Sequence, residues 1–366
     1  MRKYFLLLFV YSFTQITFAQ APKTYSSSQI FQQIKKLDVL GSVLYVAAHP
    51  DDENTRLLAF LANGKLYRTG YLSMTRGDGG QNLIGDEQGI ELGLIRTQEL
   101  LAARRIDGAE QFFTRAFDFG FTKSPIETFQ FWDHDKILSD VVWVIRKFQP
   151  DVIITRFPTT GEGGHGHHTA SAILAGEAFE AAADPTKFPE QFKYGVKPWQ
   201  AKRLLWNTFN FGSVNTERPD QFKIDAGGYN SLLGESYGEI AAESRSQHKT
   251  QGFGVPSSRG ISLEYFKTIK GSAPEKTLMD GVTTNWERLN DASMETAVKK
   301  LIADYSFTQP EKSLPTLLSI YQTLKKSGEG YWRDQKMEQV KQIIKECIGL
   351  YIEASTKTMF AVQGDS

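Results

Sequence analysis

The 366-residue sequence contains a single cysteine, Cys347, and no excess of charge of either sign. One cysteine forms no disulfide within the chain, and it excludes a zinc site of the cysteine-rich finger type, so any metal must be bound by histidine and carboxylate side chains. Lys and Arg together number 42, as do Asp and Glu. This balance gives no strong field that would attract nucleic acid or an anionic membrane, and we expect neither as a partner.

Long apolar runs are also scarce, and the most apolar one lies near the start of the sequence. Arg2 and Lys3 precede a short apolar run over residues 5–13, and residues 17–19 (TFA) have the small-residue ending of a cleavage site. The run is too short to span a bilayer comfortably as a permanent helix. We therefore predict a signal peptide over residues 1–19, export to the periplasm or the extracellular space, and no integral membrane segment after its removal. A buried N-terminal helix is the alternative.

The first two-thirds of the sequence alternate between strand-like and helix-like segments. Strand-like runs occupy residues 42–48, 68–74, 111–115, 151–157 and 203–209, and helix-like segments lie at 53–63 and 91–106. This alternation predicts an α/β fold, a Rossmann-like and mostly parallel sheet with helices on both faces, which we assign to residues 38–280. From about residue 283 the pattern is helical near residues 293–304, 314–326 and 332–352. We expect these to form a C-terminal helical appendage over residues 283–355.

Three polar loops directly follow strand-like runs. They are residues 49–53 (HPDDE), 75–82 (TRGDGGQN) and 161–168 (GEGGHGHH). Because parallel strands bind ligands beyond their carboxyl ends, we expect all three loops at one edge of the sheet. Four of the six histidines lie in the first and third loops. The sequence therefore predicts a histidine-rich site at this edge.

The spacing of these residues indicates a catalytic metal site. His49 and Asp52 lie three residues apart across a strand-to-helix turn, so both side chains can face one point, and His168 completes a set of three ligands. Catalytic zinc sites use three such ligands and leave one position open to water. We predict Zn²⁺, or another divalent metal, at these residues. Asp51 diverges from its neighbour and is the predicted general base, and His165 is the predicted donor to the oxyanion.

Several residues near this cluster also have simpler interpretations. Residues 50–53 also fit an acidic helix N-terminus whose carboxylates accept from free backbone N–H groups. Glu53 is predicted to be such a cap or a group behind the ligands. For His248, helix packing and a position in the cleft both stay open, whereas His134 is predicted to be structural.

Residues 48–53 (AHPDDE) and 165–168 (HGHH) resemble the two signature loops of the PIG-L/LmbE-like deacetylases. The resemblance spans roughly residues 38–254 and includes the Gly-rich residues 75–80, the helix residues 92–100 and the segment 244–251 (SRSQHKTQ). Such proteins have a Rossmann-like sheet and use zinc to remove N-acetyl groups from N-acetylglucosamine conjugates. The resemblance therefore implies zinc at His49, Asp52 and His168, Asp51 as base and His165 as oxyanion stabiliser.

The resemblance also bears on residues around the metal. It implies a substrate contact for Arg96, for which a structural ion pair is the alternative. Arg76 and Asp78 are predicted to contact sugar hydroxyls, although a Gly-rich turn needs polar residues in any case. In many family members an Asp that orients the first histidine stands where this sequence has His167, so the role of His165 and possible metal ligation by His167 stay open.

Together these patterns predict an exported, zinc-dependent N-deacetylase. Its expected substrate is an N-acetylated amino sugar or glycoconjugate, attacked by water that the metal activates and Asp51 deprotonates. One alternative is an amidase that acts on a larger N-acyl or peptide-like conjugate. Another is a non-catalytic carbohydrate-binding module that retains the metal loop.

Overall fold

The computed structural model describes residues 24–252 and 254–352. The predicted signal peptide over residues 1–19 lies outside the described residues. Within these two ranges, no helix combines the length and the apolar character that crossing a membrane requires.

Seven strands form one mixed sheet. They are β1 (Ser42–Ala47), β2 (Arg68–Ser73), β3 (Glu110–Phe113), β4 (Val152–Thr155), β5 (Arg203–Thr208), β6 (Phe222–Asp225) and β7 (Leu263–Gly271). Their order is β3-β2-β1-β4-β5-β7-β6. The first five strands are parallel, whereas β7 runs antiparallel to both β5 and β6. The predicted Rossmann-like, mostly parallel sheet is confirmed, and the sequence did not reveal its antiparallel edge.

Ten α-helices surround the sheet or follow it within the described residues. They are α1 (Ser27–Lys36), α2 (Thr55–Ala59), α3 (Ile90–Asp107), α4 (Pro125–Phe131), α5 (His134–Phe148), α6 (Gly166–Ala181), α7 (Tyr237–Arg245), α8 (Ala292–Ala303), α9 (Leu314–Lys326) and α10 (Tyr331–Cys347). Two short antiparallel pairs join Asn210–Phe211 to Val214–Asn215 and Tyr229–Asn230 to Glu235–Ser236. Short 3₁₀ segments lie at Pro189–Tyr194, Lys249–Gln251, Trp286–Leu289 and Pro310–Ser313.

The helix after β1 starts later than the sequence pattern suggested. Asn54 caps α2 by accepting from the backbone N–H of Leu57 at 3.1 Å, which leaves Glu53 outside the helix. A π-helical turn, Phe60–Gly64, extends α2 toward β2. The segment between β1 and α2 is therefore a loop, and this loop carries His49, Asp51 and Asp52.

Three apolar clusters hold these elements together. One lies on the sheet face covered by α5 and α6, and a second lies on the opposite face beneath α2. The third joins α1 to the C-terminal helices α8–α10 through buried side chains such as Ile34, Val298 and Val340. The predicted C-terminal helical region is therefore confirmed, and α1 packs with it. The boundaries at residues 280 and 283 stay a prediction.

The strand order brings the polar loops that follow β1 and β4 to the same edge of the sheet. β1 pairs with β2 on one side and with β4 on the other, so the connections leave β1 and β4 in opposite directions. The resulting gap between loops at the carboxyl ends is where open α/β sheets bind ligands. Val46 of β1 lies opposite Thr155 of β4, so the loops that follow both strands start side by side.

Candidate metal and catalytic site

The loop after β1 folds tightly around the carboxylate of Asp52. This carboxylate accepts from the backbone N–H of His49 at 2.7 Å, and the same oxygen lies 3.2 Å from His49 Nδ1. The phenol of Tyr71 on β2 donates to the His49 carbonyl at 2.5 Å. These contacts fix the imidazole and the carboxylate of residues 49 and 52 side by side, as their spacing predicted.

The loop of residues 161–168 leads into α6, and His168 lies in the first turn of this helix. His165 caps this helix, and its position requires glycine next, because a Cβ on Gly166 would lie 2.3 Å from the carbonyl oxygen of Ser124. Nδ1 of His168 lies 2.8 Å from the Gly163 carbonyl, to which it must donate. Its ring stacks on Phe157 at 3.8 Å with an interplanar angle of 2°. The tautomer so fixed leaves the Nε2 lone pair of His168 free.

That lone pair faces the carboxylate of Asp52. Nε2 of His168 lies 3.5 Å from Oδ1 of Asp52, while Nδ1 of His49 lies 3.2 Å from Oδ2. Ligands 2.0–2.1 Å from a tetrahedral zinc ion are roughly 3.3 Å apart, so these separations suit a cation between them. One ligand atom from each residue lies within 4.8 Å of those of the other two. The three side chains are 10–17% exposed, which leaves access from solvent. The donor set therefore fits a zinc-like ion.

The electrostatics of this group favour the cation-binding forms of Asp52 and His168, whereas they favour a protonated His49 while no metal is bound. Burial opposes ionisation of Asp52, but His168 and His49 outweigh it and lower the pKa of this carboxyl. Burial lowers the pKa of His168. For His49, burial acts in the same direction, but the hydrogen bond and charge of Asp52 prevail and raise its pKa. A metal would take the place of the proton that Asp52 attracts to His49.

Asp51 occupies a strained turn, and its carboxylate lies 3.8 Å from the guanidinium of Arg245. Its φ of +98° is unusual for a residue with a side chain. The Glu53 carboxylate accepts from the Asp51 N–H at 2.9 Å, and Arg245 donates to the Asp51 carbonyl at 2.5 Å. Burial, and secondly the charge of Asp52, raise the pKa of Asp51 to about 7. A carboxylate with such a pKa and a side chain 25% exposed has the properties of a general base.

His165 is held as a neutral hydrogen-bond donor. Its Nδ1 accepts from the backbone N–H of His167 at 3.0 Å, so the proton of the neutral ring must be on Nε2. Burial, followed by the charges of His49 and His168, lowers the pKa of His165 to about 4. The ring lies 5.1 Å from that of His49, centroid to centroid. The geometry thus favours an uncharged donor beside the predicted metal ligands.

His167 lies behind His49. Its Nδ1 is 3.0 Å from Nε2 of His49, and the side chain is fully buried. Burial and the neighbouring histidines lower the pKa of His167 to about 2. His49, His165 and His167 form a second group whose ligand atoms lie within 4.8 Å of one another. Whether His167 could bind a metal therefore depends on which of the two rings carries the proton between His167 Nδ1 and His49 Nε2.

The residues predicted to contact substrate lie in the second loop and in α3. Arg96 is buried and donates to the carbonyls of Gly77 and Gln81 at 2.7 and 2.9 Å, so it holds the Gly-rich loop in shape. Arg76 is exposed, donates to Thr97 and lies over the ring of Phe113. Asp78 accepts from the backbone N–H of Asp118 at 3.1 Å. Substrate contact by these three residues stays a prediction.

A buried charge network behind Asp51 was not visible in the sequence. His248 is buried and lies 2.9 Å from Glu53, so packing in the interior, not a cleft position, describes this histidine. Arg104 bonds Glu53 at 3.2 Å and Asp107 at 2.6 Å, and Ser244 donates to Asp107. Burial opposes ionisation of Glu53, but His248 and Arg104 outweigh it and lower its pKa to about 2.

His134 lies outside this network. It forms a partly exposed pair with Glu177 at 2.8 Å.

Comparison with known proteins matches the part of the chain that carries both histidine loops. Residues 44–179 match the family model described as PIG-L: GlcNAc-PI de-N-acetylase. Mycothiol S-conjugate amidase of Streptomyces coelicolor is 31% identical over 200 residues, which are 50% of this chain and 66% of that protein. A 1D-myo-inositol 2-acetamido-2-deoxy-alpha-D-glucopyranoside deacetylase of Geodermatophilus obscurus is 30% identical over 183 residues, 45% of this chain and 60% of that protein.

Among solved structures, N,N'-diacetylchitobiose deacetylase from Pyrococcus horikoshii aligns with a TM-score of 0.44 and 18% identity, over 58% of this chain and 71% of that chain. The chain thus spans between 60% and 66% of the length of the two curated relatives. The family resemblance predicted from the two loops is confirmed.

Proposed function

We propose that this chain, whose residues 44–179 match the PIG-L family model, is a metal-dependent hydrolase that removes the acetyl group from an N-acetylated amino sugar or glycoconjugate. The observation that carries the proposal is the convergence of His49, Asp52 and His168 beside a carboxyl of raised pKa. A structural metal site has no need for such a base. We propose Zn²⁺ as the metal, because the donors are two imidazoles and one carboxylate.

The metal, when bound at these three side chains, would supply Lewis acidity to the acyl oxygen and a lower pKa to the attacking water. Asp51 would accept the proton of that water and return it to the leaving nitrogen. His165 would donate its Nε2–H to the oxygen on which negative charge develops. Glu53 and Arg245 would hold the Asp51 backbone in the turn that aims its side chain.

Acetate release from N-acetylglucosamine conjugates tests this function. The zinc-loaded protein should release acetate, and Asp51→Ala should lower kcat by about 10²–10⁴-fold while it keeps its metal. His165→Gln should also lower kcat, because it alters the proposed donor to the oxyanion. His134→Gln is its matched control, because His134 lies outside the cluster and pairs with Glu177. Normal acetate release by Asp51→Ala would sink the mechanism. Glycan binding without release of any acyl product would favour a carbohydrate-binding module.

A second candidate is an amidase for larger N-acyl conjugates. The observation in its favour is Phe121, which is 69% exposed and lies edge-on to His165 at 5.1 Å. An exposed aromatic ring beside the proposed oxyanion donor would contact an acyl chain longer than acetyl. A substrate series of increasing acyl length decides between the two. If larger acyl groups are preferred, Phe121→Ala should reduce that preference.

Export is part of the proposal. It is supported by the charged start, the short apolar run and the small-residue ending of residues 1–19. Expression of the full sequence in a bacterial host, with N-terminal sequencing of the periplasmic product, tests it. A product that retains residues 1–19 and stays in the cytoplasm would contradict export.

A further inference from the structure

The ring of His167 is fixed by two aromatic side chains in the interior. Trp132 stacks on it at 4.7 Å with an interplanar angle of 21°, and Phe119 meets it edge-on at 4.4 Å. The side chain has no exposed surface. An imidazole packed on two sides in this way has little freedom to rotate, so its nitrogen atoms keep fixed directions.

One of those nitrogens faces the proposed metal ligand. His167 Nδ1 lies 3.0 Å from His49 Nε2, a hydrogen-bond distance that requires one proton between the two atoms. The opposite nitrogen of His49, Nδ1, faces Asp52 and must keep its lone pair if it is to bind a cation. The proton of a neutral His49 is then on Nε2, and His167 Nδ1 is its acceptor.

We propose that His167 is a positioning residue that accepts the Nε2–H of His49 and thereby aims the Nδ1 lone pair of His49 at the metal. This inference rests on one part of the proposed function, the metal at His49, Asp52 and His168, and it does not depend on which reaction the protein catalyses. Acceptors behind a ligating histidine select its tautomer and orientation, and their loss typically costs 10–100-fold in metal affinity or activity. Here the acceptor is a neutral imidazole where such acceptors are often carboxylates.

The surroundings explain why a neutral acceptor suits this position. Asp118 Oδ1 lies 3.8 Å from His167 Nδ1 and already accepts from the backbone N–H of Gly120. A carboxylate in place of His167 would therefore be buried between aromatic rings and next to a second carboxylate. Such burial of like charges is costly. On the Nε2 side of His49, His167 therefore supplies the hydrogen bond, and Asp118 lies next to His167.

Two substitutions separate the hydrogen bond from the volume of the side chain. His167→Asn keeps an acceptor near the position of Nδ1, whereas His167→Leu fills the space without one. Zinc affinity is measured by competition with a chelator, and Co²⁺ absorption reports the number of protein ligands. His167→Leu should bind one zinc ion about 10–100-fold more weakly with an unchanged Co²⁺ spectrum, and His167→Asn should recover most of the loss. His134→Leu, outside the cluster, is the control.

Equal zinc affinity in the parent protein and His167→Leu would overturn the proposal. A changed Co²⁺ spectrum would overturn it too, because His167 would then be a ligand. If His167→Leu does not fold, two-bond ¹H–¹⁵N spectra of the zinc-loaded parent protein provide the test. They should show His49 protonated at Nε2, and protonation at Nδ1 would refute the proposal. A parent protein that binds zinc but hydrolyses no substrate would contradict the proposed function and leave this inference intact.

Discussion

Replacing Glu53 with glutamine should destabilise the protein and reveal how much the buried network behind Asp51 contributes. The Glu53 side chain has no exposed surface and contacts His248 at 2.9 Å and Arg104 at 3.2 Å. Its pKa falls from 4.5 to about 2 on folding. Each tenfold change in proton affinity corresponds to about 1.4 kcal/mol, so the charged form contributes roughly 3 kcal/mol to the free energy of unfolding. Removing one partner of a buried ion pair typically costs about 3–5 kcal/mol, which agrees.

The stability that Glu53 contributes should decrease as the pH is lowered. Because the pKa of Glu53 is lower in the folded chain, its contribution is complete above pH 4.5 and is lost as the pH falls toward 2. The difference between the parent protein and Glu53→Gln should therefore be largest near pH 7 and about half as large near pH 3. Urea denaturation of the metal-free proteins at both pH values measures it.

Glu239→Gln is the matched control for this experiment. Glu239 also has a lowered pKa, first because of its hydrogen bond to Arg259, but this pair lies at the surface. Water screens an exposed pair, so the control should lose far less stability. A loss below about 1 kcal/mol for Glu53→Gln, or a loss that does not change with pH, would refute the assignment of the network as a charged, buried unit.

Three further predictions concern the ionisable residues Asp51, Arg96 and Lys336. The acidic limb of kcat/KM should titrate below pH 7 in the metal-loaded protein, because the proposed mechanism needs ionised Asp51 and a nearby cation would lower its pKa of about 7. A pH–rate profile measures this. Arg96→Lys should reduce the free energy of unfolding by about 1–3 kcal/mol in urea denaturation, because one ammonium cannot bond both loop carbonyls. Burial lowers the pKa of Lys336, so stability should rise with alkaline pH until its unfolded-state pKa, and Lys336→Met should flatten that slope in thermal melts.

The fold was predictable where apolar runs follow a regular period. β1 and β4 are buried along their whole length and consist mostly of apolar residues, and α9 spans the predicted residues 314–326. α6 was missed, because its Ala-rich sequence is buried over much of its circumference and so has no polar stripe to mark a helix. The antiparallel β7 was missed as well, since nothing local in its sequence specifies the direction of its neighbours.

The candidate site was predictable in its membership more than in its geometry. The spacing of His49 and Asp52 and the strand order suffice to bring His168 to them, because both loops leave the same sheet edge. The direction of His167 was not predictable, since it depends on where α6 begins and on the aromatic residues 119 and 132. The burial of His248 depends on Glu53, almost two hundred residues away in the sequence.

Three consecutive acidic residues illustrate why the environment, not the residue type, assigns these roles. The positive φ of Asp51 separates its side chain from that of Asp52, so that the two carboxylates meet different neighbours. Burial raises the pKa of Asp51, whereas two histidines lower that of Asp52, and His248 and Arg104 lower that of Glu53. Groups whose pKa values are driven apart can act as base and as ligand at the same pH. A single strained turn thus carries the proposed ligand Asp52, the proposed base Asp51 and Glu53, the acceptor that holds the Asp51 backbone in position.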